Sequence, residues 1–165
     1  RLPFDDKSFD LVVSNHVIEH VGDRAAQVRH LSEIRRVLKP AGCLYLAVPN
    51  RWTLIEPHFR LPFLSWLPRS LRSPYVRLTA RGERYDCDPP GYHEMLTIFE
   101  AAGLQPRDVS IAGMSALGEI EVRSRLLRYL LTRSRYWAAP ARPPFPSFLF
   151  VAMPLAERTL VKTVS

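Results

Sequence analysis

Two spacings of apolar residues alternate along this chain. Leu11-Val12-Val13 and Leu44 to Val48 are short continuous runs, the mark of strands covered on both faces. Between them Val28, Leu31, Ile34 and Leu38 recur at three- and four-residue intervals, which predicts a helix with one buried stripe. Asp23 is placed to cap its first turn, and Pro40-Ala41-Gly42 is expected to end it and turn the chain into the second strand. Strand, crossover helix and strand make a βαβ unit.

Regular spacing fades from Arg51 to about Pro90, where Pro57, Pro62, Pro68 and Pro74 interrupt an aromatic and apolar segment. So long a segment between regular elements points to a functional insertion, with room for short helices. Helical spacing returns through Met95, Ile98, Phe99 and Ala102, with Gly103 as the C-terminal cap. A short strand is expected at Val109-Ser110-Ile111 and a longer one at Phe148 to Met153, between Pro146 and Pro154. From about 119 to 137, Leu126, Leu127, Leu130, Leu131 and Trp137 alternate with Arg123, Arg125, Arg128, Arg133 and Arg135, which predicts a basic amphipathic helix.

The approach Leu2-Pro3-Phe4-Asp5-Asp6-Lys7-Ser8-Phe9-Asp10, the Glu19-His20-Val21 after the first strand and Glu33-Ile34-Arg35-Arg36-Val37-Leu38-Lys39-Pro40-Ala41-Gly42 before the second follow one another in order. This succession resembles the class I S-adenosylmethionine-dependent methyltransferases at their fourth strand, following helix and fifth strand. Glu100-Ala101-Ala102-Gly103-Leu104 is similar to the passage from the family's next helix to its sixth strand. The resemblance implies an α/β, partial Rossmann-like domain, mostly parallel, with an antiparallel last strand. It implies S-adenosylmethionine as cofactor and methyl transfer as the reaction. The family's glycine-rich loop and ribose-binding carboxylate are matched by nothing here, and Arg1 is not an initiator methionine. The chain is therefore expected to be one truncated methyltransferase domain over 1–165, a piece of a longer enzyme and inactive by itself.

Bulk composition narrows this little. At 165 residues, 47% hydrophobic and 10% aromatic, the chain suits one soluble domain with a core. The net charge of +7 favours anionic partners. The basic helix reads as a solvated face, as an interfacial helix on anionic lipid, or, least favoured, as a nucleic-acid contact. Two cysteines, Cys43 and Cys87, are too few for a disulfide framework or a zinc site, and a cytoplasmic location is expected, with peripheral contact at the membrane if the helix is interfacial. An inactive fragment acting as an interaction or membrane-surface protein is the competing function.

Ser14, Asn15 and His16 leave the first strand at the edge where open α/β sheets bind ligands. The resemblance brings them, with His20, to the cofactor's methionine end, and Leu2, Pro3 and Phe4 to its adenine end. Loop-backbone satisfaction is the plain alternative for Asn15 and His16, and a simple turn for Leu2 to Phe4. His16 is the candidate catalytic base, since imidazole titrates near neutrality. Asn50, Trp52, Glu56, His58, Phe59 and Trp66 are the candidate acceptor contacts: a small-molecule, sugar or lipid-type acceptor. Glu56-Pro57-His58 is not a metal motif, and no metal is expected.

Overall fold

The computed structural model describes residues 1–56, 58–113, 116 and 147–155. Strand β1 (Phe9–Asn15) leads through a 3₁₀ turn (Ile18–His20) into helix α1 (Arg24–Val37) and strand β2 (Leu38–Pro49). The insertion holds a two-stranded hairpin, β3 (Ile55–Glu56) and β4 (Leu61–Pro62), a 3₁₀ turn (Leu64–Trp66) and helix α2 (Arg69–Leu78). Helix α3 (Tyr92–Ala101) and strands β5 (Leu104–Asp108) and β6 (Ser147–Pro154) complete the described elements.

The main sheet has the order β1-β2-β6-β5. β1 and β2 are parallel, and β6 lies antiparallel between β2 and β5. Three strands thus run one way and the last runs against them, as the resemblance implies. Asp23 accepts the Ala26 N–H at 2.9 Å and caps α1 as expected. The buried stripe of α1 differs by part of a turn: Gln27, Leu31, Ile34 and Val37 face inward. Gln27 is tolerated there because its side-chain amide donates to the Asp88 carbonyl and accepts from Arg24.

Three further expectations change. Leu38 already belongs to β2, so Pro40-Ala41-Gly42 lies within an irregular strand start rather than in a turn. The strand expected at 109–111 is formed by 104–108, and 110–113 are helical. Pro106 obscured it: proline cannot donate to a ladder, but β5 stands at the edge of the described sheet, where that loss is tolerated. Finally, the described residues cover β1 on one face only. Val12 and Ser14 turn inward, whereas Leu11 and Val13 are 55% and 61% exposed.

The core lies on the side of α1 and α3, where Leu31, Ile34, Met95, Ile98 and Phe99 pack on Leu44, Leu46, Val48, Phe148 and Phe150. Phe99 and Phe150 meet edge to face at 5.2 Å. The insertion has its own small core, Leu61, Leu64, Val76, Tyr85 and Cys87, with Phe59 and Tyr75 against it. No helix among the described residues is long and apolar enough to cross a membrane. The expected basic helix at 119–137 lies outside the described residues.

Candidate functional site

At the carboxyl end of β1 the chain makes an abrupt corner. Ser14 is buried and its hydroxyl has no hydrogen-bond partner among the described residues; Asn15 beside it is exposed. His16 adopts a left-handed backbone, φ 52°, a costly conformation for a residue with a side chain. Its N–H donates to the Ala47 carbonyl of β2, and its Nε2 lies 3.2 Å from the Ser147 hydroxyl of β6. The 3₁₀ turn that follows drives Ile18 into the core and carries Glu19 inward with it. Glu19 is 0% exposed, and neither carboxylate oxygen has a hydrogen-bond partner among the described residues.

The insertion closes over this corner from the other side. Residues 87–88 cross the turn, where the Asp88 N–H donates to the Glu19 carbonyl at 2.7 Å. In β3 the strand alternation sends Ile55 outward and Glu56 inward. One Glu56 oxygen accepts the Phe59 N–H at 2.6 Å; the other lies 2.7 Å from His58 Nδ1. A carboxylate only accepts, so Nδ1 of neutral His58 carries the hydrogen and its Nε2 is left with a lone pair. That Nε2 is 3.9 Å from Glu19 Oε1. His16 Nδ1 and His20 Nε2 stand 3.8 and 3.9 Å from the same oxygen. Three imidazoles from two parts of the chain thus converge on one buried carboxylate.

Cys87 borders the cluster, its sulfur 3.7 Å from His20 Nδ1. Burial, chiefly, with the carboxylates of Asp86, Glu56 and Glu19, pushes its thiol well above the ordinary range. It is a poor nucleophile as it stands.

The remaining predicted site residues separate into groups. Leu2 to Phe4 sit at the opposite end of β1, held by Arg36 and Glu33 of α1 rather than beside Ser14, Asn15 and His16. Asn50 is buried and accepts the Trp52 N–H, a local turn. Trp52 and Trp66 are partly exposed and pack edge to face at 5.8 Å, with Phe63 5.1 Å from Trp66. Leu54 and Ile55 are exposed on the same hairpin. Phe59 instead packs against the insertion core. Glu19 was not among the predicted site residues, although its apolar neighbours Ile18 and Val21 were a signal that the turn is buried.

Residues 1–46 match the model of the family described as "Methyltransferase domain". The chain is similar to the demethylmenaquinone methyltransferase of Bacillus subtilis, 32% identical over 113 residues, covering 64% of this chain and 46% of that one. A dimethylglycine N-methyltransferase of Parasynechococcus marenigrum is 39% identical over 64 residues, covering 39% of this chain and 22% of that one. A solved SAM-dependent methyltransferase from Methanosarcina mazei shares the fold at a TM-score of 0.51 and 18% identity, over 95% of this chain and 64% of that one. The chain spans less than half the length of the curated relatives it matches first.

Proposed function

Because this chain belongs to the class I S-adenosylmethionine-dependent methyltransferases, we propose that it forms the acceptor side of an enzyme methylating a small molecule with an apolar or amphipathic body. S-Adenosylmethionine supplies an electrophilic methyl group on a sulfonium. The unpartnered Ser14 hydroxyl and the exposed Asn15, at the carboxyl edge of β1, suit a polar ligand there; with His16 they are the residues that would hold it. The chain's own task is to hold the acceptor's nucleophilic atom in line and to receive the proton it loses. His20, exposed at the corner, is the group able to do so. Relatives named for demethylmenaquinone and dimethylglycine have chemically unlike acceptors, so the acceptor class is argued from this chain's own surface.

The observation that carries this reading is the hairpin. Glu56 and His58 reach the corner from its inner side, while Trp52, Leu54, Ile55, Phe63 and Trp66 leave an apolar surface open on its outer side. Such a rim favours an acceptor that buries hydrocarbon as it presents a polar atom inward. In the full-length enzyme, Trp52→Ala or Trp66→Ala is expected to raise the acceptor KM by an amount worth about 1–3 kcal/mol, leaving cofactor affinity unchanged. Phe59→Ala, in the insertion core, is expected to lower thermal stability instead. Steady-state kinetics with calorimetric cofactor binding separates these outcomes. Equal losses of cofactor and acceptor binding in the tryptophan variants would refute the substrate-wall assignment.

A further inference from the structure

A fully buried carboxylate with two unpartnered oxygens is expensive unless a charge or donor compensates it. Among the described residues Glu19 has none within hydrogen-bonding distance. The three imidazole nitrogens at 3.8, 3.9 and 3.9 Å from Oε1 stand beyond that reach. They are close, however, to the separation of atoms that share an ion. Ligand bonds of about 2.0–2.1 Å in a tetrahedron put neighbouring ligands about 3.4 Å apart. His16, Glu19 and His58 bring one ligand atom each to within 4.8 Å of one another; contraction by about half an ångström at each histidine–Glu19 pair, and by at most about 1.4 Å across the widest pair, would close the set.

Both histidines are also held from behind, as metal-ligating histidines usually are. His58 gives its Nδ1 hydrogen to Glu56, itself fixed by the Phe59 N–H. His16 has Ser147 against Nε2, while Nδ1 faces Glu19. The strained left-handed backbone of His16 is what aims that ring, and such strain concentrates where function requires it. We propose that His16 Nδ1, Glu19 Oε1 and His58 Nε2 bind one divalent transition-metal ion, zinc or a first-row neighbour. Two imidazoles and one carboxylate suit such an ion better than magnesium or calcium, which prefer all-oxygen shells. Three protein ligands leave coordination positions open, and the partial exposure of both histidines admits a small oxygen ligand. His20 lies at 3.9 Å from the same carboxylate oxygen and is the nearest further donor.

A second grouping, His20, His58 and Cys87, shares His58 but leaves Glu19 uncompensated. Its sulfur also donates to Asp86 rather than standing free. The triad containing Glu19 is therefore the one assigned. That an open position receives the acceptor's oxygen rests on the methyl-transfer reading; ion binding does not.

The test is calorimetric titration of zinc into the chelator-treated chain at neutral pH, without cofactor or acceptor. One ion per chain is expected. Glu19→Gln and His58→Ala should each weaken binding by more than tenfold, and Glu56→Gln, which removes the support behind His58, by about 10–100-fold. Cys87→Ser should leave affinity unchanged, and magnesium should not compete. Absence of saturable zinc binding by the wild-type chain, or affinity indifferent to Glu19→Gln, overturns the site. Loss of binding in Cys87→Ser reassigns it to the other grouping and equally overturns it. Should a variant fail to fold, cobalt bound to the wild-type chain still decides, since a thiolate charge-transfer band would contradict the assigned ligands and its absence would support them. A chain that binds zinc but, at full length, transfers no methyl group would defeat the functional reading alone. One that transfers methyl but binds no zinc would defeat the metal site alone.

Discussion

Arg36 stands near the end of α1 and ties the first residues of the chain to the helix. Its guanidinium donates to the carbonyls of Leu2 and Phe4, to Asp6 at 2.6 Å and to both oxygens of Glu33. Glu33 also accepts the Leu2 N–H. These bonds, the Arg36 pairing first and the Leu2 N–H second, favour its charged form and hold its carboxyl at about 2, against an ordinary 4.5. The group binds fewer protons folded than unfolded, so its stabilisation is fully present above pH 4.5 and fades as the pH falls toward 2. Glu33→Gln should therefore lower the urea midpoint at neutral pH, with the gap to wild type closing across that acid window. A gap of constant size from neutral pH to pH 2 would mean that Glu33 acts through packing rather than charge. Arg36→Lys, which loses the planar fork, should reproduce part of the loss.

At the scale of elements, the register of β1 on β2 depends on how closely the backbones approach at the start of β2. Phe9 pairs with Leu38 while Leu11 pairs with Cys43, so the register shifts between Phe9 and Leu11. Gly42 lies in that shift. A side chain there would stand 2.9 Å from the Phe9 carbonyl oxygen and 3.1 Å from those of Asp10 and Lys39. All three are backbone atoms and cannot swing aside. Gly42→Ala is expected to destabilise the chain by about 1–3 kcal/mol, as overpacking does elsewhere. Because β1 carries Ser14 and leads directly into His16, the same substitution should weaken zinc binding without altering any ligand. Equilibrium urea unfolding and zinc titration of one sample measure both effects. A neutral result on stability would show that the strands can part without loss.

At the scale of the whole molecule, the described residues present two contrasting faces of one sheet. α1 and α3 cover the first, whereas Leu11, Val13 and Met153 remain exposed on the second. Contiguous apolar surface beside an edge strand is a pairing hazard. The chain by itself is expected to self-associate as its concentration rises. Leu11→Lys together with Val13→Lys should shift sedimentation toward monomer, because charge on an open face opposes stacking while leaving the covered face intact. Unchanged sedimentation of the double variant would place the association elsewhere, the exposed hairpin of Trp52, Leu54, Ile55 and Phe63 being the next surface to alter.

The elements whose pattern is local could be read without coordinates. Asp23 capping α1, the inward face of Met95, Ile98 and Phe99 on α3, and the apolar strands all follow from spacing, capping and burial over a few residues. Two local signals misled. Pro106 concealed a strand at the edge of the described sheet, and the continuous run at Leu11 to Val13 concealed a strand that the described residues cover on one side only. Among the site residues, the corner at Ser14, Asn15 and His16 was legible because strand ends in α/β sheets are ligand edges. The convergence on Glu19 was not. It joins His16 to His58 across the length of α1 and β2, and the parallel pairing of β1 with β2 is what brings the insertion back over the corner from which α1 departs. Glu56-Pro57-His58 has no third ligand in its own stretch of chain, and Glu19 differs from any solvated glutamate only through its burial. Chemistry assembled from separate segments is fixed by packing, and packing is a property of the folded chain.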